Sequence, residues 1–270
     1  MTASAHPEPP AQPGTTGPAS PSTHAASGPE PMSADARRYD AFYRGESPLR
    51  DAVGHALVPW DVGTPQPELI GLEESGQITG SVLDAGCGTA DNAFFLHGRG
   101  HRVTGFDSSP TAVAQAQARA RAQGADITFT VADATEPTGL TEQFDTVLDS
   151  ALYHCIDSSR RQSYIDSLHR LCRPGGRLHL MCFSDTAQHP SAAVAYISEA
   201  ELRDVLSDGW RITTLRPARY LTAFTHRHVE LSAHSLGYDS PASYLRSEFD
   251  GSNEQGLLYA HAWLVSADRL

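Results

Sequence analysis

Val82-Leu83-Asp84-Ala85-Gly86-Cys87-Gly88-Thr89 is a short apolar strand that ends on an acid and runs directly into a loop with two glycines one residue apart. Glycine at 86 and 88 opens backbone torsions closed to other residues and removes the Cβ that would hold a ligand away from the main chain. A nucleotide-like ligand needs such a loop at the mouth of a doubly wound sheet. A helix at 90–97 should follow it.

Downstream of this loop, runs rich in Val, Ile, Leu and Phe alternate with helical stretches, which is the pattern of a parallel sheet covered on both faces. Strands are expected at 81–85, 102–107, 126–132, 144–149 and 176–183, with helices at 109–123 and 157–171. Ser109-Pro110 offers a capping hydroxyl and a first-turn proline, and Arg173-Pro174-Gly175-Gly176 turns one element into the next. Beyond it, Ser198-Glu199-Ala200-Glu201 opens a helix to about residue 206, followed by strands at 210–215 and 257–265. The stretch between 216 and 256 shows no clear period, and a segment that long is functional or mobile. Upstream, residues 1–32 are Pro, Ala, Ser, Thr and Gly with almost no large apolar side chain, so a disordered tail is expected. Ser33 would cap a helix carrying Tyr39, Phe42 and Tyr43 on one face, and Gly45 would stop it.

Three acids follow three successive strands. Asp84 ends the first, Asp107 the second, where an acid commonly receives ribose hydroxyls, and Asp133 the third, where a carboxylate and the amide of Ala134 could read an adenine edge. The dinucleotide version of the loop is G-x-G-x-x-G, but its sixth position here is Asp91. A charge of that sign at a helix start opposes a pyrophosphate and suits a ligand with a sulfonium and an ammonium group. A Rossmann-type oxidoreductase is disfavoured on that ground.

Asp84-Ala85-Gly86-Cys87-Gly88-Thr89 resembles the glycine-rich motif of class I S-adenosylmethionine-dependent methyltransferases, and Arg173-Pro174-Gly175-Gly176 is similar to their turn before the fifth strand. Pro59-Trp60-Asp61-Val62-Gly63-Thr64-Pro65-Gln66-Pro67 resembles a motif of the thiopurine methyltransferase-like branch, which includes plant halide and thiol methyltransferases and actinobacterial small-molecule enzymes. The resemblance spans about 39–216 and resumes at Ala260-His261-Ala262-Trp263-Leu264. It implies a Rossmann-like α/β fold whose mostly parallel seven-stranded sheet has an antiparallel last strand. One domain, 33–270, would then carry a cofactor-covering segment at 33–80 and an insertion at about 225–256. It further implies S-adenosyl-L-methionine as cofactor, with Asp84, Gly86 and Gly88 on its methionine part, Asp107 and Ser108 on the ribose, Asp133 and Ala134 on the adenine, and Ser150 beside them. Trp60 and Asp61 would close the N-terminal segment over it. Ala90, where many relatives carry glycine, suggests a tighter loop.

Methyl transfer from a sulfonium is an in-line displacement in which charge disappears, so alignment and exclusion of water dominate. A base is needed only for an acceptor that must lose a proton. Asp149, Ser150, Tyr153 and His154 follow the fourth strand, with His154 and Tyr153 the catalytic candidates. The expected activity is methylation of an O, N or S atom of a small molecule; the alternatives are a thiol or halide methyltransferase and a non-catalytic protein that binds the cofactor.

Composition narrows the rest. The 270 residues carry a net charge of −12, with no basic run to hold a nucleic acid, and the absence of lysine excludes Schiff-base chemistry. No apolar run reaches the roughly 20 residues that cross a bilayer, and no secretory pattern opens the chain, so a cytoplasmic location is expected. The four cysteines lack metal or disulfide spacing, and His226-Arg227-His228 has no third ligand, which reads as solvated loop rather than metal site.

Overall fold

The computed structural model describes residues 1–2, 32, 34–49, 54–187, 195–233 and 239–270, so most of the expected tail and the Ser33 cap lie outside the described residues. The unit Met32–Leu270 carries the fold. Its N-terminal part is α1 (Ala34–Ala41), a π-type turn over Phe42–Glu46, and α2 (Pro67–Glu74). The sheet begins with β1 (Ser81–Ala85), α3 (Asp91–Gly98), β2 (Arg102–Asp107), α4 (Pro110–Gln123) and β3 (Thr128–Val131). It continues through β4 (Phe144–Ser150), α5 (Arg161–Leu171), β5 (Cys172–Phe183), α6 (Glu199–Val205) and β6 (Trp210–Thr225). The chain closes with α7 (His226–Ser232), α8 (Pro241–Glu248), β7 (Phe249–Ser252) and β8 (Leu257–Arg269).

The strand order is β3-β2-β1-β4-β5-β8-β6, and β7 adds an eighth strand against β8. The pairs from β3 to β5 are parallel, whereas β8 runs antiparallel to both β5 and β6. Successive residues of each central strand face opposite ways, and both faces are apolar. Leu83, Val147 and Val265 pack with Tyr164, Ile165 and Leu168 of α5, while Val82, Leu148 and Leu264 pack with Leu69 of α2, Leu96 of α3 and Val113 of α4. Two cores on one sheet make the doubly wound fold, and the switch in strand order between β2-β1 and β4 opens the crevice where such sheets bind ligands.

Arg173-Pro174-Gly175-Gly176 lies within β5 as a bulge: Phe144 pairs with Cys172, but Thr146 already pairs with Arg177. A Cβ on Gly176 would come within 2.9 Å of the Arg173 and Asp145 carbonyl oxygens, so only glycine fits. Within β5, His179 is fully buried, with Nδ1 2.8 Å from Ser266 Oγ and Nε2 3.2 Å from the Gln77 carbonyl. Burial holds its pKa down at about 4.

Other features also differ from the expectations drawn from the sequence: the sheet has eight strands where seven were expected, and β8 runs to Arg269 instead of 265. α2 lies where no element was expected, although Pro67 at its first turn, Glu68 next and apolar Leu69 and Leu72 form an ordinary helix start. β6 continues ten residues past the expected end at 215. The stretch without a clear period folds into α7, α8 and β7, held by Val229, Ala233, Tyr244 and Leu258.

Candidate active site

The carboxyl ends of β1, β2 and β4 bring the sequence-predicted acids together. Asp84 is 1% exposed, and its Oδ2 has no hydrogen-bond partner. Burial, then the nearby charges of Asp107 and Asp149, push its pKa up to about 7. Asp107 Oδ2 accepts from the Gly88 amide at 2.9 Å and Oδ1 from the Ser109 amide at 2.8 Å, so this acid also fastens the glycine loop. The cap of α4 is Ser109 itself, whose Oγ accepts from the Ala112 amide at 3.0 Å, and Asp107 holds that residue in place. Burial raises the Asp107 pKa as well. Gly86 and Gly88 take φ values of 72° and 53°. A Cβ on Gly86 would lie 2.9 Å from Leu152, and one on Gly88 2.6 Å from the Tyr43 hydroxyl.

Ala90 keeps a left-handed φ of 75° at the start of α3, so the loop retains the glycine-type path at some strain and is not tightened. Asp91 does not stand as an isolated charge: Arg119 of α4 reaches its Oδ1 at 2.6 Å while lying over Phe94 at 4.2 Å. The compensated charge no longer weighs for or against a pyrophosphate.

Beside the loop lies a pocket walled by Ala36 and Tyr39 of α1, Phe106, Leu152 and Ile156, with Asp107, Ser108, Asp133, Ala134 and Arg160 supplying its polar atoms. Asp133 Oδ1 accepts from the amide and hydroxyl of Thr135, both at 2.8 Å. Arg160, which is not among the sequence-predicted site residues, reaches Oδ2 at 2.9 Å. Only its position at the base of α5, facing the end of β3, could have singled it out.

The N-terminal segment folds onto this edge through aromatic contacts. Trp60 packs among Tyr39, Phe42 and Tyr43 and donates from Nε1 to the Tyr43 hydroxyl at 2.7 Å. Asp61 accepts from Thr89 Oγ1 of the glycine loop at 3.0 Å. Gln66 exchanges two hydrogen bonds of 2.9 Å with the backbone of Leu221, continuing the edge of β6 as a strand would. Asp40 of α1 also holds Ser109, accepting from its Oγ at 2.6 Å.

After β4 the chain turns sharply at Ala151, with φ of 76°. Asp149 supports that turn: Oδ1 accepts from the Leu152 amide and Oδ2 from the Tyr164 hydroxyl, both at 2.8 Å. Its pKa is pushed up to about 7 by burial. The geometry works against proton transfer by the two catalytic candidates. Tyr153 is 0% exposed and donates to Glu201 at 3.1 Å. His154 stacks on Phe183 at 4.2 Å, its Nδ1 accepts the Phe183 amide at 3.3 Å, and burial pulls its pKa down to about 3. An imidazole whose lone pair is engaged and whose charged form is excluded is a poor base near neutrality. Ser150 Oγ is buried without a partner in hydrogen-bond geometry, facing the hydroxyl of Tyr220.

His226 is exposed on the first turn of α7, whereas His228 is buried and accepts the Thr225 amide through Nδ1 at 3.0 Å, as part of the helix cap rather than a solvated loop. Among the described residues no group of three or more His, Cys, Asp or Glu could hold a metal ion, all four cysteines are free thiols, and no helix is long and apolar enough to cross a membrane.

Residues 82–176 match the family described as a methyltransferase domain. A 2-heptyl-1-hydroxyquinolin-4(1H)-one methyltransferase of Mycobacteroides abscessus is 35% identical over 86% of this chain and 96% of its own. The chain belongs to the S-adenosylmethionine-dependent methyltransferases. A probable thiol methyltransferase of Arabidopsis thaliana is 28% identical over 46% of the chain and 56% of its own. Among solved structures, one described under the conversion of a disulfide bond into a thioacetal group during echinomycin biosynthesis is 37% identical, with TM-score 0.67, covering 87% of this chain and 92% of the other. The magnesium protoporphyrin IX methyltransferase of Synechocystis with S-adenosylmethionine bound, at 22% identity and TM-score 0.51, covering 75% of this chain and 76% of its own, shares the fold.

The methyltransferase thus has S-adenosylmethionine as its cofactor. The residues present fit that cofactor. The unpartnered Asp84 carboxylate oxygen lies near the end of β1, where an ammonium group would satisfy it, and the lining of the pocket beside the glycine loop offers Asp107 to a ribose and Phe106, Leu152 and Ile156 as an apolar wall to a base.

Proposed function

We propose that this methyltransferase alkylates a hydroxyl oxygen on a flat heteroaromatic small molecule in the cytoplasm, with no nucleic acid as partner. The observation that carries the reading is a set of rings from the turn after β4, the end of β5 and the middle of β6: Phe183 stacks on His154 and meets Tyr220 edge-on at 5.7 Å, beside the Ser150 hydroxyl. Planar apolar walls with a few polar atoms suit a planar acceptor. The hydroxyquinolinone named for the Mycobacteroides relative has that shape.

When bound, the cofactor supplies an electrophilic methyl group on a cationic sulfur. Asp84 and Ser150 bind its ammonium end, Gly86 and Gly88 let the backbone approach, Asp107 with Ser108 holds the ribose, and Asp133 with Ala134 receives the adenine. Trp60 and Asp61, through Tyr43 and Thr89, hold the N-terminal segment against the glycine loop and keep water out of the site. His154 and Tyr153 orient the walls of the acceptor site and do not take a proton. The His154→Asn variant, whose Oδ1 can accept the Phe183 amide in place of Nδ1, tests this. The pH profile of kcat between about 5.5 and 9 should keep its shape, because His154 stays neutral above about 3. Loss of a limb near pH 6.5, the ordinary histidine range, would restore His154 as the base.

A sulfur acceptor is the second reading, favoured by the 37% identical structure connected with a disulfide and by the Arabidopsis thiol methyltransferase. Formation of S-adenosylhomocysteine with hydroxyquinolines, phenols, small thiols, iodide and thiocyanate decides between them. Turnover confined to thiols and halides would overturn the oxygen reading. Calorimetric binding of S-adenosylhomocysteine without product formation from any acceptor would leave a cofactor-binding protein.

A further inference from the structure

The pocket beside the glycine loop has one cationic side chain in its lining, Arg160, set among Asp107, Asp133 and Asp157. A lone arginine over three acids reads first as a surface ion pair, worth little to the fold. Its geometry is more specific. A single nitrogen, NH2, makes all its hydrogen bonds: to Asp133 Oδ1 at 3.1 Å, to Oδ2 at 2.9 Å and to the Thr135 hydroxyl. Thr135 closes the set by donating its amide and hydroxyl to Asp133 Oδ1. Oδ1 is therefore saturated by three donors, while Oδ2 keeps accepting capacity in a carboxylate that can no longer rotate.

We infer that Arg160 is a positioning residue that makes the cofactor pocket selective for adenine. It fixes Asp133 so that the remaining capacity of Oδ2 faces a base carrying an exocyclic amino group. The inference rests on the reading of this pocket as the adenosine site. A carboxylate held in this way accepts from an amine and repels a carbonyl oxygen at the same place, so a hypoxanthine base is rejected and adenine accepted; the Asp133 side chain is 44% exposed without a ligand, and a bound base would cover it, so the wrong base would leave it unpaired. Arg160 also offsets part of the negative field of the acids around the pocket, and its Nε and NH1 make no hydrogen bond to the described residues.

The test compares calorimetric affinities of S-adenosylhomocysteine and S-inosylhomocysteine for the full chain and for Arg160→Met, Arg160→Lys and Asp133→Asn, with thermal midpoints measured alongside. The wild type should prefer the adenine form by about 30-fold. Arg160→Met should cut that preference to below about fivefold and weaken the adenine form about tenfold, with the thermal midpoint almost unmoved; Arg160→Lys should fall between them. Asp133→Asn, which can donate as well as accept, should erase the preference. An unchanged ratio in Arg160→Met, or a drop in affinity equal for both ligands, overturns the assignment and leaves Arg160 an ion-pair residue. A wild type that binds both forms equally also overturns it, whereas one that binds neither sinks the adenosine site itself.

Discussion

Asp84→Asn should raise the thermal stability of the methyltransferase above pH 7 while weakening S-adenosylmethionine binding more than about 100-fold. Asp84 is enclosed at the end of β1 with one oxygen unpartnered and its pKa pushed up to about 7, mainly by burial. The sign follows from linkage. An acid whose pKa is raised on folding binds its proton more tightly in the native state, so it costs stability only where it must ionise. The penalty is absent below about pH 4, grows as the pH rises towards 7 and is complete above it. A tenfold change in proton affinity corresponds to about 1.4 kcal/mol. Asp149, also raised to about 7, shares part of the same repulsion, so about 2 kcal/mol is a fair expectation for removing one charge. In a chain of this size that is a rise of about 4–8 °C in the midpoint.

Below about pH 4 the folded and the unfolded chain both carry the Asp84 proton, and the two midpoints should converge. Binding runs the other way. The ammonium end of the cofactor is what an uncompensated buried carboxylate requires, and removing one partner of such a pair costs about 2–5 kcal/mol. Cofactor binding at pH 7 should then release protons, visible as a dependence of the calorimetric enthalpy on the buffer's ionisation enthalpy. A variant that keeps full affinity, or one that gains no stability at pH 8, would remove Asp84 from the methionine end of the site.

The part of this arrangement legible in the sequence is what local pattern encodes. β1 and β2 begin and end at the expected residues because each is a short, almost wholly buried stretch with Val, Leu or Phe at its centre and a glycine close to its boundaries. The three acids were legible because each lies within two residues of the end of its strand. Partnerships formed across the chain were not. Arg160 meets Asp133 from 27 residues away and Arg119 meets Asp91 from 28. The charge at Asp91 therefore bore on the ligand only while its compensating arginine was out of view. His154 looked like a base because an imidazole near a strand end has a suitable pKa in water; burial against Phe183 removes that property, and burial is a tertiary fact. β6 looked short because Arg216, Pro217 and Arg219 interrupt its apolar pattern, yet it is an edge strand, where proline and arginine are tolerated.

Tyr43 should decide how badly Gly88→Ala behaves. Gly88 sits at φ 53°, so alanine there carries the left-handed strain of about 1 kcal/mol in any surroundings. The larger cost is local: the added Cβ would lie 2.6 Å from the Tyr43 hydroxyl, whereas the next ring atom, Cζ, is 3.6 Å away. That hydroxyl is held in place by Trp60 Nε1, and Trp60 anchors the aromatic cluster of the N-terminal segment. The alanine therefore cannot be accommodated without lifting Tyr43, and with it the cover over the glycine loop. Gly88→Ala should weaken cofactor binding about 30-fold and, by loosening the backbone of the N-terminal segment, speed tryptic cleavage at the already exposed Arg37, Arg38 and Arg44. Tyr43→Phe alone loses one hydrogen bond, worth about 1 kcal/mol, and should weaken binding only a few-fold. In the double variant the clash is gone, because the Cβ meets Cζ at ordinary contact distance, so affinity and protease resistance should recover to within about tenfold of the wild type. The coupling between the two sites is then favourable and large, as expected for residues in direct contact. Additive losses would mean that the cofactor loop is disturbed by backbone strain alone and that Tyr43 does not lie on it.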